Sequence, residues 1–307
     1  MRRVRYEVNG GPEVLFTEEA PAPEPGPGEL LVRSEAIGVT LPVVREVREG
    51  TEPGPLGGEV AGRVVAVGEG VTGFAVGDRV TGLCFSHAYA ELALLHERMA
   101  SHVPPKATSA EAVALVRGGL VARGAYEACR PRAGETVLVT AAAGTTGGLA
   151  LQYARAGGAS RVVAAVSSPE KADLVRSLGA DEVVLYPDES WGEPVDVVLD
   201  GVGGDVLHSA VRALAPNGRL IAYSSGGGTV DAHQLLARSA SVTGFQMATV
   251  ARAQPELYTR WLTEVWDHYR QKTLRPSVFA RLPLADASEA HRIIESRRNL
   301  GKVVLVP

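Results

Sequence analysis

The residues best suited to chemistry stand in a row: Gly144-Thr145-Thr146-Gly147. They follow the apolar, β-branched run Val137–Val139, which predicts a buried strand, and precede Leu149-Ala150-Leu151-Gln152-Tyr153-Ala154, which predicts a helix. Strand, glycine turn and helix are the parts that set a pyrophosphate on helix N-terminal amides. A large side chain at Gly144 or Gly147 would hold the backbone away from such a phosphate. The spacing departs from G-x-G-x-x-G, so the turn alone fits an ordinary strand-to-helix connection equally well. Metal chemistry has no comparable signal. Cys84, Cys129 and the seven histidines show no ligand spacing, and Cys-x-x-Cys is absent. No metal site is expected, and both cysteines read as structural.

The elements that would position these residues fall into two patterns. From Met1 to Leu31 the chain is β-rich, and further short strands follow to Leu95. Val4–Val8 and Val14–Glu18 are split by Asn9-Gly10-Gly11-Pro12, Pro21–Gly28 is a surface connection, and Glu29–Gly38 is a further strand. Gly57–Gly68 and Val71–Val80, with Gly-Asp turns, suggest a compact β-barrel-like domain. The segment Leu41–Pro55 reads as a loop. Near Ser109, an N-cap candidate, the pattern changes to alternating strand and helix: Val137–Thr140, Gly147–Ala156, Arg161–Val166, Pro169–Leu178, Glu182–Tyr186, Val195–Asp200, Val206–Leu214, Arg219–Ser224 and Ser241–Met247. Such alternation means a parallel sheet covered on both faces. Glu256–Gln271 and Ala287–Arg297 read as helices and Lys302–Val306 as a last strand.

A chain of 307 residues is long for one core, so two domains are expected. An apolar fraction of 45% is ordinary for a globular protein, and no run has the length of a membrane span. Net charge is −4 without a basic stripe, which gives no reason to expect nucleic acid. Two cysteines without a framework suit a reducing cytoplasm.

Gly57-x-Glu59-x-x-Gly62, followed by Val67-Gly68-Glu69-Gly70-Val71-Thr72-Gly73-Phe74-x-Val76-Gly77-Asp78-Arg79-Val80, resembles the medium-chain dehydrogenase/reductase superfamily. Ala141-Ala142-Ala143-Gly144-x-x-Gly147, Ser167-Ser168-Pro169-Glu170-Lys171, Leu178-Gly179-Ala180-Asp181 and Gly301-Lys302-Val303-Val304 narrow it. They resemble the zinc-independent, NADPH-dependent quinone oxidoreductases. The resemblance implies an α/β fold: a doubly wound parallel Rossmann sheet plus a GroES-like β-barrel catalytic domain. It implies residues 1–116 as the first part of the catalytic domain, 117–255 as the NADPH-binding domain, and 256–307 as the return to the catalytic domain. A cytoplasmic homodimer, joined near Ser241–Met247, is implied as well. Zinc members carry Gly-His-Glu where this chain has Gly57-Gly58-Glu59.

The second Rossmann strand ends in Ser167-Ser168, with no carboxylate to hold a ribose 2′-hydroxyl, and Lys171 follows one turn on. Hydroxyls and a cation suit a 2′-phosphate. The family's phosphate residues correspond to Lys171, Tyr186 and Arg297, and Ser224 and Ser225 resemble its loop near the nicotinamide ribose. A capping serine with a solvated lysine is the plainer reading of Ser167 and Lys171. At the reacting end the chain departs from its relatives. Thr40 stands at the family's asparagine, Arg45 at a tyrosine, Val121 at a threonine and Arg123 at another aromatic position. Arg45 and Arg123, as paired guanidiniums, suit a carboxylate, phenolate or phosphate, while snorkelling surface arginine is the alternative. His87 is a candidate proton donor. The resemblance thus implies hydride transfer to a quinone, an enone or an enoyl compound, with Thr40, Arg45 and Arg123 on the acceptor side. An enoyl reductase acting on an anionic natural-product intermediate, or an NADPH-binding sensor or scaffold without turnover, are the competing readings.

Overall fold

A computed structural model describes residues 1–223 and 226–307. The chain forms two compact units: Met1–Arg117 with Ser277–Pro307, and Gly118–Pro276.

The first unit contains β1 (Arg2–Arg5), β2 (Phe16–Glu19), β3 (Glu29–Val39), α1 (Leu41–Glu49), β4 (Gly58–Val67), β5 (Arg79–Cys84), β6 (Leu92–His96) and β7 (Ala100–His102). It also holds the start of α2 (Ser109–Ala128), whose length spans the boundary between the units. Its seven-stranded sheet is centred on β3 and β4. β3 is long because it serves three neighbours: β6 along Glu29–Arg33, β15 along Ile37–Val39 and β4 along most of its length. Register shifts in its pairing with β4, at Leu31/Val32 and Ser34/Ala36, bend it as bulges do. Leu30, Val32, Ile37, Val60, Leu95, Val303 and Leu305 meet in the core.

The segment read from sequence as the Leu41–Pro55 loop contains α1. Pro42 fits a first helical turn, and Val43, Val44 and Val47 fall on one buried face. Three valines so close together read as strand or loop in isolation, and the core decides otherwise.

The second unit runs β8 (Thr136–Val139), α3 (Thr145–Ala156), β9 (Arg161–Val166), α4 (Ala172–Ser177), β10 (Glu182–Leu185), β11 (Val195–Asp200), α5 (Gly204–Arg212), β12 (Leu214–Ala222), α6 (Ala232–Leu236), β13 (Ser241–Gly244), α7 (Met247–Ala253) and α8 (Pro255–Arg270). Its six strands are all parallel, in the order β10-β9-β8-β11-β12-β13. This is a doubly wound sheet with its switch point between β8 and β11. Strands such as β9 and β11 are buried along nearly their whole length, as a sheet covered on both faces requires.

The return to the first unit starts at Ser277 rather than Glu256. α8 stays with the second unit because Tyr258, Trp261, Leu262, Val265 and Trp266 form a buried apolar face. Polar contacts to α2 add to this: Glu127 accepts from Trp261 Nε1 and Arg260, and Glu264 accepts from Arg123. The Gln152 amide then fixes the exit, accepting from Arg275 N at 2.8 Å and donating to Arg275 O at 3.1 Å.

β14 (Val278–Pro283), α9 (Ala287–Glu295) and β15 (Lys302–Val306) complete the first unit. β15 runs antiparallel to β3 and parallel to β14. Lys302 and Glu59 form a buried ion pair at 2.8 Å between β15 and β4. Among the described residues no helix is long and apolar enough to cross a membrane.

His291 lies on the buried face of α9, with Nε2 3.2 Å from the Tyr89 hydroxyl. Burial holds its imidazole down, from 6.5 to about 4, against the opposing charge of Glu295. The unfolded chain takes up this proton first, so the stabilisation is complete above pH 6.5 and is lost as pH falls through 6.5 towards 4. The loss reaches about 3 kcal/mol from this one group. Urea unfolding at pH 7 and pH 4.5 is expected to show this drop in the wild type and a smaller one in His291→Phe.

Candidate functional site

β8 ends at Val139, and after Thr140 the chain turns over Ala141–Gly144 with Gly144 N donating to Ala141 O at 2.8 Å. Ala141 sits at φ 49°, a left-handed conformation that alanine adopts at some cost. Its N–H is held by the Tyr186 hydroxyl at 2.9 Å, which ties the turn to the end of β10. α3 then starts at Thr145 with Gly144 as N-cap and no side chain capping it. The first-turn amides of such a helix have no intrahelical acceptors and carry the positive end of its dipole. Gly118 of α2 lies under this turn, where a Cβ would come 3.0 Å from the Thr145 γ-methyl.

The two framing glycines have different reasons. A Cβ at Gly147 would run into the Ala141 carbonyl and the Ala142 backbone, so the turn's own packing excludes a side chain there. Gly144 has φ −80° and a Cβ would stand 3.2 Å from Ala141 O, a tight contact and no more.

At the end of β9, Lys171 Nζ donates to Ser167 Oγ at 2.9 Å. Hydroxyl and ammonium are thus brought together beside a strand end that carries no carboxylate. Tyr186 N donates to Val166 O at 3.0 Å, continuing the β9–β10 pairing past its last residue. The glycine turn, Ser167, Lys171 and Tyr186 therefore gather at the C-terminal ends of β8, β9 and β10, beside the switch point. Helix amides without a side-chain cap, small residues and a hydroxyl–ammonium pair fit a dinucleotide carrying a 2′-phosphate. Arg297 belongs to the other unit, exposed just past α9 at φ 57°. Ser224 and Ser225 lie outside the described residues.

The residues expected on the acceptor side are spread over both units. Thr40 precedes α1 and is 9% exposed, and its hydroxyl has no hydrogen-bond partner. Arg45 is half-buried on α1. Arg123 corrects the expectation of a paired-arginine anion pocket. Its guanidinium is 2.7 Å from Glu127 and 2.7 Å from Glu264, so two carboxylates already neutralise it and it braces α2 against α8. Val121 is half-buried on the same helix. His87 is exposed at φ 53°, and partial burial of its ring together with the Arg3 charge lowers its pKa. Both cysteines are buried, and burial pushes their thiols up, Cys84 to about 11 and Cys129 to about 12. They are poor nucleophiles. Among the described residues no group of three or more His, Cys, Asp or Glu side chains could hold a metal ion.

One part of the site goes beyond the sequence reading. Asp200, at the end of β11, is fully buried and accepts from the Thr140 hydroxyl at 2.6 Å. A carboxylate closing an apolar strand just before Gly201-Val202-Gly203-Gly204 was the available signal.

Comparison with known proteins agrees with this architecture. The model of the alcohol dehydrogenase GroES-like domain matches residues 26–165, and that of the zinc-binding dehydrogenases matches residues 178–305. A quinone oxidoreductase from Pseudomonas aeruginosa is 36% identical, over 100% of this chain and 99% of its own. A 2-haloacrylate reductase from a Burkholderia species is 31% identical, over 97% and 96%. A mycobacterial protein solved in complex with NADPH superposes with a TM-score of 0.93 at 35% identity, each chain covered completely. The chain belongs to the medium-chain dehydrogenases/reductases and, within them, to the quinone oxidoreductase family.

Gly147→Ala is expected to lower stability by about 1–3 kcal/mol, as overpacking against fixed backbone does. Gly144→Ala should cost clearly less. Thermal unfolding of the two variants side by side checks the order.

Proposed function

We propose that the chain is an NADPH-dependent reductase that passes hydride to a quinone or to the electron-poor double bond of an enone or enoyl compound. The observation that carries this reading is the Ser167–Lys171 contact at the end of β9, where a carboxylate would select NAD. The family membership and the NADPH complex of the mycobacterial relative support it. Bound NADPH supplies the hydride. In this reading α3's first turn, Gly144 through Gly147, holds the pyrophosphate. Ser167, Lys171, Tyr186 and Arg297 hold the 2′-phosphate, and the resemblance assigns Ser224 and Ser225 to the nicotinamide ribose. Thr40 and Arg45 face the acceptor, Thr40 with a buried hydroxyl that has hydrogen-bonding capacity to spare. A homodimer joined along β13 is part of the same proposal.

The 2-haloacrylate reductase among the relatives favours, as a second reading, an acceptor that bears a carboxylate, with Arg45 as its partner.

Two measurements check these assignments. Lys171→Ala is expected to weaken NADPH binding by about ten- to a hundred-fold while leaving NADH binding nearly unchanged, the scale of one lost charge-assisted hydrogen bond. An unchanged NADPH/NADH preference would sink the cofactor assignment. Arg45→Ala is expected to lower kcat/KM about tenfold for an acrylate-type carboxylate and to spare a neutral enone. Equal losses on both acceptors would remove the carboxylate reading.

A further inference from the structure

Thr140 directly follows β8 and Asp200 ends β11, the two strands that flank the switch point. Both side chains are completely buried. The Thr140 hydroxyl donates to Asp200 Oδ1 at 2.6 Å and accepts from Gly201 N at 2.8 Å. Asp200 Oδ1 also accepts from Val202 N at 3.2 Å, and Oδ2 accepts from Gly203 N at 3.0 Å. Among the described residues no cation pairs with the carboxylate. Its charge is held by one hydroxyl and two backbone amides.

What these bonds fix is a stretch of nearly bare backbone. Gly203 and Gly204 have φ of 74° and 55°, and Gly204 N donates to Gly227 O at 3.0 Å. A Cβ at Gly203 would stand 2.6 Å from Gly227 O, so a third loop is packed against the second. Glycines have the most backbone freedom to lose, and loop 201–204 has three of them in four residues. It adopts one shape because Thr140 and Asp200 hold consecutive amides in place. Thr140 is also the residue before the Ala141–Gly144 turn, so one hydroxyl couples the glycine turn to the glycine loop.

We infer that Thr140 and Asp200 are positioning residues for the dinucleotide: they lock Gly201–Gly204 as a glycine-rich wall at the switch point, beside the turn assigned to the pyrophosphate. The inference rests on the proposed use of NADPH. Neither residue touches the cofactor in this scheme. A buried carboxylate near a polyanion is tolerated because its lone pairs are spent on the loop.

The test uses Thr140→Val, which keeps the side chain's shape without the hydroxyl, and Thr140→Ser, which keeps the hydroxyl. Thr140→Val is expected to weaken NADPH binding about tenfold, the scale of one hydrogen bond to a charged group. Its kcat at saturating NADPH should stay within about twofold of wild type, and Thr140→Ser should bind nearly as the wild type does. Hydrogen exchange of the cofactor-free protein should be faster at Gly201, Val202 and Gly203 in Thr140→Val and unchanged in Thr140→Ser. Should Thr140→Val fail to fold, Asp200→Asn replaces it. That variant keeps one acceptor oxygen, sets an amide NH2 against Gly203 N–H, and should show the same two effects. Wild-type affinity for NADPH with unaltered exchange in either variant overturns the inference, as does an affinity loss shared by Thr140→Ser. If the wild type itself does not bind NADPH, the cofactor reading falls, and the positioning role falls with it.

Discussion

The first unit depends on an ion pair that water does not reach. Lys302 is 4% exposed and Glu59 1% exposed, and their charged atoms are 2.8 Å apart. Burial pulls the Lys302 ammonium down from its usual range, and Glu59 pulls it back up. Such a pair adds little net stability compared with apolar side chains of the same size, but Lys302 without Glu59 would be a stranded charge. Its effect is therefore on register. Gly38 pairs with Glu59 on one side of β3 and with Val304 on the other, and a Cβ at Gly38 would collide with both Glu59 and Lys302. A slip of β15 by one residue would set Val303 before the carboxylate and turn every side chain of the strand to the wrong face. Arg117, 3.7 Å from the other Glu59 oxygen, brings the middle of α2 to the same charge.

The second unit handles its buried charge differently. Asp200 is matched by a hydroxyl and by backbone amides rather than by a cation. The cations of this unit sit nearer the surface, with Arg123 spent on Glu127 and Glu264 and Arg219 spent on Glu135. Lys171 donates to the Ser167 hydroxyl at the end of β9.

The doubly wound sheet was legible because its strands are continuous apolar runs separated by helical periods, a pattern set by local sequence. The glycine turn and the Ser167–Lys171 spacing were legible for the same reason, since each lies within a few residues of chain. α1 was not, because three valines within five positions carry no helical preference of their own and acquire it by packing on the core. The membership of α8 was hidden too. Its partners Arg123 and Glu127 lie on α2, more than a hundred residues earlier, and no periodicity reports which core an amphipathic helix will join. Arg123 shows the matching limit for sites: an arginine at a cleft position looks available until its carboxylates are placed. Thr140 and Asp200 had a local signal, a polar residue closing each of two apolar strands, but their bond joins positions 60 residues apart.

The position of β15 also governs how the chain can be assembled. The second unit is continuous, and its parallel strands come from one stretch of sequence. The first unit is interrupted: β3 offers Ile37–Val39 to a strand that the ribosome makes only after the whole second unit. Until then Glu59 waits without its ammonium, and that stretch of β3 is an open sheet edge with unpaired backbone groups. During synthesis the first unit therefore stays open until the sequence of the second has been made, a long-range closure of the kind that slows folding and exposes a nascent protein to aggregation.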